Sequence, residues 1–159
     1  MIIFGYPGIG KSTLGGIGRF IDLDSSNFWI DGFRNLNWYK EIAKIAISIS
    51  EQGFNVFLPT HQLVRDEVIE YTDDCICVFP HMNLKDAWVQ KLKARYDNHK
   101  SAKNFKAYDH ARNNYIESVV GLERWCNTHD IGYCRIDAMP YDLAEILNNY
   151  AAVDIYKII

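Results

Sequence analysis

A glycine-rich segment near the start of the chain constrains the fold more than any other feature. The run Gly5-Tyr6-Pro7-Gly8-Ile9-Gly10-Lys11-Ser12, called the P-loop below, satisfies the pattern G-x-x-x-x-G-K-[ST]. It lies between an apolar run at residues 2–4, which predicts a buried strand, and helix-forming residues from Lys11 onward. Glycines let the backbone wrap around phosphate oxygens so that successive N–H groups face the anion. The segment therefore predicts a strand–loop–helix unit that binds a nucleotide.

Every residue of the P-loop and the adjoining Thr13 is predicted to take part in nucleotide binding. The Lys11 ammonium is expected to reach the β and γ phosphates, and the Ser12 hydroxyl is expected to bind Mg²⁺. Thr13 is expected to support the loop. A phosphate-binding loop names no reaction, so the reaction has to be inferred from other residues.

The composition is that of one folded domain, residues 1–159. A chain of 159 residues with 48% hydrophobic residues forms a single core, and a second full domain is not expected. The chain has 17 Lys and Arg and 20 Asp and Glu, which gives a net charge of −3. This charge argues against a basic surface over the whole molecule that would bind nucleic acid or an anionic membrane. A local basic patch remains compatible with that average.

Cysteine and histidine spacing does not predict a disulfide scaffold or a zinc site, so the cysteines are expected to be reduced and buried. No apolar run approaches the roughly 18 residues of a membrane-spanning helix. Met1 is followed at once by the first strand, which leaves no room for a signal peptide, so a cytoplasmic location without a membrane partner is expected. The residues concerned are Cys75, Cys77, Cys126 and Cys134, with His81, His99, His110 and His129.

Apolar periodicity along the chain predicts alternating strands and helices. Such alternation is typical of an α/β fold in which a parallel sheet is covered by helices on both faces. A loop at 25–37, rich in Ser, Asn and aromatic residues, interrupts the series. Strands are predicted at 2–4, 20–24, 54–58, 75–79 and 133–136, and helices from residue 11 and at 38–52, 61–71, 84–96, 101–126 and 140–150.

Two classes of P-loop protein are disfavoured by what the chain lacks. A GTPase carries an N-K-x-D run and a D-x-x-G run, but Asn83-Leu84-Lys85-Asp86 has its lysine at the wrong position and no D-x-x-G occurs. A motor-type ATPase ends an apolar strand in an acid that holds Mg²⁺. Here the strands at 54–58 and 75–79 are followed by Pro59 and Pro80.

The acids lie instead at Asp22 and Asp24, directly after the P-loop helix. Strand alternation places both on one side, toward the edge where ligands bind in open α/β sheets. One carboxylate can hold Mg²⁺ and the other can accept a proton from an attacking hydroxyl. We assign Asp22 to the metal and Asp24 to the acceptor as a base, with capping of Ser25-Ser26 as the structural alternative for one of them.

The P-loop followed by Phe20-Ile21-Asp22-Leu23-Asp24 resembles the small P-loop kinases of the adenylate kinase, shikimate kinase and gluconate kinase group. The stretch at 22–28 also resembles small kinase-like proteins, many of them encoded by phages. The resemblance implies a three-layer P-loop NTPase fold with strand order 2-3-1-4-5, an acceptor-binding region at about 25–52 and a short lid at about 83–106. It also implies that the segment 137–140 lies against the adenine of ATP.

Seven of the 17 basic residues fall within the predicted lid, where cations would neutralise the transferring phosphoryl group. Lys91 and Arg95 are one helical turn apart and are assigned to that role, Arg95 foremost because its planar fork suits phosphate. A solvated helix face is the structural alternative. The seven residues are Lys85, Lys91, Lys93, Arg95, Lys100, Lys103 and Lys106.

The acceptor is expected to lie among residues near the predicted crevice. Arg65, one turn after His61, is a candidate clamp for an acidic or phosphorylated acceptor, with His61 as a hydrogen-bonding partner and Arg34 as a weaker candidate. Aromatic residues at 28, 29, 33, 38 and 39 either stack on a base or belong to the core. The predicted acceptor-binding set is Asp24, Ser25, Phe28, Arg34, His61 and Arg65.

These residues predict an ATP- and Mg²⁺-dependent phosphotransferase acting on a small acceptor, a nucleoside or a nucleotide. Two alternatives stay open. In the first, the acceptor is a hydroxyl of a nucleic acid, and the basic segment at 85–106 belongs to a strand-binding groove. In the second, the protein is a nucleotide-binding switch or interaction module with little turnover.

Overall fold

A parallel sheet forms the centre of the protein. The structure is a computed structural model that describes the backbone of residues 1–30 and 33–156 and the side chains of residues 1–28 and 33–151. In this part of the chain the strands are β1 (Ile2–Gly5), β2 (Phe20–Asp22), β3 (Trp29–Ile30), β4 (Phe33–Arg34), β5 (Asn55–Pro59), β6 (Cys75–Pro80) and β7 (Gly132–Ile136).

Five of these strands lie side by side in the order β2-β5-β1-β6-β7, and each neighbouring pair is parallel. The expected α/β class with a five-stranded parallel sheet is therefore confirmed. The short strands β3 and β4 form a separate antiparallel pair. This pair falls inside the segment 25–37, which we had predicted to be a loop.

Helices connect the strands. From β1 the chain runs to β2 at one edge of the sheet, and the later strands lead back across the sheet to β7 at the other edge. Because parallel crossovers are right-handed, this reversal of direction places α1 on one face of the sheet and α2, α3 and α5 on the other. α2 packs on α3, and α4 packs on α5. The helices are α1 (Lys11–Leu14), α2 (Trp38–Glu51), α3 (Gln62–Ile69), α4 (Lys85–Asn98), α5 (Ala102–Thr128) and α6 (Leu143–Tyr156), with 3₁₀ helices at Ser25–Phe28 and Met82–Leu84.

The position of each strand in the sheet explains its residue pattern. β1, β5 and β6 lie in the interior of the sheet, covered on both faces, and are continuous apolar runs whose central residues are all buried. The edge strand β2 is half-buried throughout, and the other edge strand, β7, includes the exposed Arg135. The carboxyl ends of the strands, where β1 enters the P-loop, form the edge that carries the candidate site.

Side-chain caps explain two differences from the predicted boundaries, whereas the largest difference is that the last helix extends to Tyr156 and not to residue 150. The strand predicted at 20–24 ends at Asp22, because the Asp24 carboxylate accepts the Ser26 N–H at 2.9 Å and turns the chain into a 3₁₀ helix. The last helix begins at Leu143 and not at Pro140, because the Asp142 carboxylate accepts the N–H groups of the first turn, that of Ala144 at 2.8 Å. The helices α2 to α5 and the strands β5 to β7 lie within two residues of their predicted ranges.

The four cysteines are free, as expected, with Cys134 half-buried and the others buried. Among the described residues, no helix combines the length and the apolar character needed to cross a membrane.

Candidate functional site

The backbone of the P-loop presents unpaired donors. The chain turns sharply after β1, and the Ile9 N–H closes that turn by donating to the Tyr6 carbonyl at 3.3 Å. Other N–H groups of the loop have no protein acceptor in the described part of the chain. They are those of Gly8, Gly10, Lys11 and Ser12. Consecutive unpaired N–H groups at the start of a helix form a cradle for phosphate oxygens.

Lys11 folds back over the loop. Its Nζ donates to the Gly5 carbonyl at 2.5 Å and to the Tyr6 carbonyl at 3.4 Å. A side chain at residue 5 would displace this lysine, since a Cβ there would lie 2.7 Å from Lys11 Cδ and 2.6 Å from Ile9 Cδ1. Burial lowers the pKa of Lys11 to about 8, a shift that Asp22 opposes. The Asp22 carboxylate therefore offsets only part of the cost of burying the ammonium. An anion in the cradle would stabilise the ammonium further.

Asp22 lies against the helix that follows the P-loop. A Cβ added to Gly15 would be 2.7 Å from Asp22 Cβ, so the carboxylate-bearing residue packs directly on the end of α1. Burial raises the pKa of Asp22, while the cations Lys11 and Lys103 act in the opposite direction. Asp22 thus lies beside the cradle, as we predicted for a metal ligand, and Ser12 is exposed in the same short helix.

Asp24 joins the same cluster through a residue that the sequence analysis did not assign. Its Oδ2 forms an ion pair with Nζ of Lys103, which lies in the first turn of α5. Its Oδ1 accepts the Ser26 N–H, so the predicted capping alternative is observed for Asp24. The carboxylate therefore caps the chain with one oxygen and faces a cation with the other.

The two cations assigned to the transferring phosphoryl group have different surroundings. Arg95 is exposed on α4, and its positive charge helps to lower the pKa of Lys11. Lys91 is half-buried, and its Nζ donates to the Tyr141 hydroxyl at 2.8 Å. The structure thus brings Arg95 toward the P-loop cluster and holds Lys91 in protein contacts.

Residues of the predicted acceptor set lie around Trp38. The Arg34 guanidinium lies 4.3 Å from the centre of the Trp38 ring and donates to the Ser25 hydroxyl at 3.3 Å. The His61 ring meets Trp38 edge-on at 5.4 Å. Burial lowers the pKa of His61, and Arg34 and Lys11 act in the same direction. Ser25, Arg34 and His61 are therefore brought together next to the P-loop.

The aromatic residues of this region divide between core and surface. Phe28, Trp38 and Tyr39 are partly buried and pack against the hydrophobic core, which favours the structural alternative for Phe28. Phe33 is 79% exposed. The side chain of Trp29 lies outside the described residues.

Arg65 corrects the sequence prediction. Its side chain is buried, its guanidinium lies 4.4 Å from the centre of the Trp125 ring of α5, and its Nε donates to the Thr60 carbonyl at 3.2 Å. One further nitrogen, Nη1, is buried without a hydrogen-bond partner in the described residues. Arg65 is directed into the contact between α3 and α5 because the Trp125 ring offers a flat face there. It is not placed as an acceptor clamp.

This placement gives a stability prediction. Arg65→Met should leave the free energy of unfolding equal to that of the wild type or raise it by up to about 2 kcal/mol, because an apolar chain of similar length removes the cost of burying the guanidinium and its unsatisfied Nη1. Arg65→Ala should lower it by about 2–4 kcal/mol, since it leaves a cavity. Urea unfolding measures both, and a methionine variant markedly less stable than the wild type would contradict this interpretation.

Sequence reasoning missed several residues of the site. Lys103 appeared only as one member of a basic run, because its partner Asp24 lies 79 positions away in the chain. His110 was expected to be structural or exposed, and it is exposed, with its Nε2 3.1 Å from the Ser118 hydroxyl. Trp88 and Tyr141 contact the P-loop itself. No local pattern marks the contacts of Lys103, Trp88 and Tyr141, because each joins segments that are distant in the chain.

The segment predicted to contact adenine follows β7. Asp137 accepts a hydrogen bond from Nε of Arg135 at 3.1 Å, and Tyr141 reaches the Gly8 carbonyl at 3.3 Å. The residue that directly follows the segment 137–140 therefore contacts the P-loop.

Within the described residues no group of three or more His, Cys, Asp or Glu side chains is placed to hold a metal ion. The chain matches no protein-family model and no curated protein.

Proposed function

We propose that the protein is an ATP- and Mg²⁺-dependent phosphotransferase with a P-loop NTPase fold. The observation that carries this proposal is the cradle of unpaired N–H groups around Lys11, whose ammonium lacks sufficient counter-charge. Counted along the chain, the strands of the main sheet stand in the order second, third, first, fourth, fifth, which supports the fold expected from the resemblance. The adenine would lie near 137–140.

Ser12 and Asp22 are the residues that would hold Mg²⁺. A hydroxyl and a carboxylate beside a phosphate cradle are ligands of the kind this ion uses together with phosphate oxygens and water. The exposed Ser12 and the Asp22 carboxylate beside α1 fit that donor set. When bound, the ion neutralises negative charge on the phosphates.

Asp24 is the proposed base for the acceptor hydroxyl. It lies beyond the end of β2, and it forms an ion pair with Lys103. A carboxylate held by an ammonium is a poor base, so Lys103 has to turn from Asp24 toward the phosphates before the proton is accepted. Arg95 on α4 would join Lys103 in stabilising the transferring phosphoryl group.

The acceptor is proposed to be a nucleoside or a nucleotide bound beside Trp38. An indole ring between a guanidinium and an imidazole offers a surface for stacking and for hydrogen bonding to a base or a phosphate. The nucleic-acid alternative receives less support, because Lys93 and Lys100 pair with Asp97 while Lys103 pairs with Asp24.

A panel of acceptors tests the proposal. Radiolabelled ATP is incubated with nucleosides, nucleotides, small hydroxy acids and DNA, with the Lys11→Ala variant as the blank. Label appearing in a nucleoside or nucleotide supports the proposal. Label in DNA alone would replace it by the nucleic-acid kinase, and ATP binding without transfer to any acceptor would replace it by the switch protein.

The low pKa of Lys11 predicts that ATP binding is coupled to proton uptake. In the free protein the pKa is about 8, so at about pH 9 most molecules hold a neutral amine, whereas bound phosphates favour the ammonium. Binding should therefore take up nearly one proton at about pH 9 and almost none at about pH 7, and the affinity should fall as the pH rises above the free-state pKa. Calorimetry in buffers of different ionisation enthalpy measures this uptake. Equal uptake at both pH values would contradict the assignment.

A further inference from the structure

Two aromatic side chains hold the outer side of the P-loop. Trp88 Nε1, from α4, donates to the Pro7 carbonyl at 2.9 Å. The Tyr141 hydroxyl, from the segment before α6, donates to the Gly8 carbonyl at 3.3 Å. Trp88 is fully buried and Tyr141 is half-buried. Two consecutive carbonyls of the loop are thus fixed by residues from two other elements.

Fixing a carbonyl also fixes the N–H of the same peptide unit. In a trans peptide the C=O and the N–H point in opposite directions. The Pro7 carbonyl belongs to the peptide unit that carries the Gly8 N–H, so the bond from Trp88 turns that N–H away from α4. The Gly8 N–H has no protein acceptor in the described residues. The outer hydrogen bond therefore aims an unpaired donor into the cradle.

Lys91 fixes the two aromatic rings relative to each other. The rings of Trp88 and Tyr141 are stacked at 5.9 Å with only 10° between their planes. The Lys91 ammonium lies 4.6 Å from the first ring centre and 4.7 Å from the second. It also donates to the Tyr141 hydroxyl at 2.8 Å, so that hydroxyl keeps its own proton for the Gly8 carbonyl.

The loop packs against this group too closely for any side chain at position 8. A Cβ on Gly8 would lie 2.9 Å from Leu92 Cδ2 and 3.3 Å from Trp88 Nε1, and the backbone φ of +88° is one that other residues rarely adopt. The motif leaves this position open to any residue, so the positive φ and the close contact with α4 together favour glycine here.

We propose that Trp88, Lys91 and Tyr141 form a clamp that positions the P-loop peptides for phosphate binding. This inference rests on the proposed function. It makes Trp88 and Tyr141 positioning residues, since they act on the nucleotide through the loop, and it gives Lys91 a supporting role in place of contact with the transferring phosphoryl group. It also makes the first half of α4 part of the support of the P-loop.

The test uses Trp88→Phe and Tyr141→Phe, each of which removes one donor and keeps a ring. In the free protein, the amide resonance of Gly8 is expected to shift or broaden in Trp88→Phe and that of Ile9 in Tyr141→Phe, because the Pro7 carbonyl shares its peptide unit with the Gly8 N–H and the Gly8 carbonyl shares its own with the Ile9 N–H. The Kd for ATP is expected to rise about three- to tenfold in each, the effect of one lost hydrogen bond. Tyr133→Phe is the matched control, because the Tyr133 hydroxyl bonds Glu123 of α5 at 3.1 Å and not a carbonyl of the P-loop.

An unchanged Gly8 resonance in Trp88→Phe and an unchanged Ile9 resonance in Tyr141→Phe, together with unchanged ATP affinity in both variants, would overturn the clamp. An equal loss of affinity in Tyr133→Phe would also overturn it, because the effect would then be one of general stability. If the wild type does not bind ATP, the proposed function fails, and the Gly8 and Ile9 resonances in the free variants still decide whether the clamp exists.

Discussion

Lys11→Ala is expected to abolish measurable phosphoryl transfer, a loss of at least about 10³-fold, while the fold remains intact. The Lys11 ammonium is the cation at the centre of the proposed phosphate cradle, and no other side chain bonds to the carbonyls of Gly5 and Tyr6 in the described residues. Alanine removes that charge without adding bulk to the loop. Transfer to the best acceptor of the panel, circular dichroism and thermal unfolding measure the two parts of this prediction.

Lys44→Ala provides the matched control, because Lys44 is an exposed residue of α2. It should retain the activity of the wild type. Full activity in Lys11→Ala, with both variants folded, would falsify the assignment of the P-loop as the phosphate site.

Asp24→Asn is expected to lower turnover by about 10²–10⁴-fold, the usual contribution of a positioned base, and to change the Kd for ATP by less than about threefold. Asparagine keeps an oxygen that can accept the Ser26 N–H, so the 3₁₀ helix after β2 should persist. What it loses is the negative charge that faces Lys103 and accepts the proton. Steady-state kinetics and calorimetry measure the two effects separately.

Asp73→Asn is the control for this substitution, since Asp73 is exposed before β6. A large loss of ATP affinity in Asp24→Asn with little change in turnover would show that Asp24 serves the nucleotide and not the acceptor.

Local patterns in the sequence were sufficient for the parallel sheet and for the P-loop. β1, β5 and β6 are covered on both faces, so their apolar runs are uninterrupted and easily recognised. The P-loop is a contiguous segment whose chemistry depends on its own backbone. The position of Asp22 was predictable for the same reason, since it is the last residue of the short edge strand β2 that follows α1 in the chain.

Local sequence patterns could not predict contacts between segments that are distant in the chain. Lys103 meets Asp24 across 79 positions, and Tyr141 meets Gly8 across 133 positions. Helical spacing placed Arg65 one turn after His61 but could not reveal that the Trp125 ring covers its guanidinium. Residues of the basic segment at 85–106 look alike in the sequence, yet in the structure Lys91 bonds the Tyr141 hydroxyl, Lys103 pairs with Asp24, and Lys93 and Lys100 pair with Asp97.

The central claim is that the P-loop binds the phosphates of ATP. Its most direct test is a titration of isotope-labelled protein with ATP and Mg²⁺, followed by nuclear magnetic resonance of the backbone amides. We predict saturable binding with the largest shifts at Gly8, Gly10, Lys11 and Ser12, whose N–H groups have no protein acceptor in the described residues. An absence of saturable binding, or binding that leaves these four amides unmoved, would contradict the account.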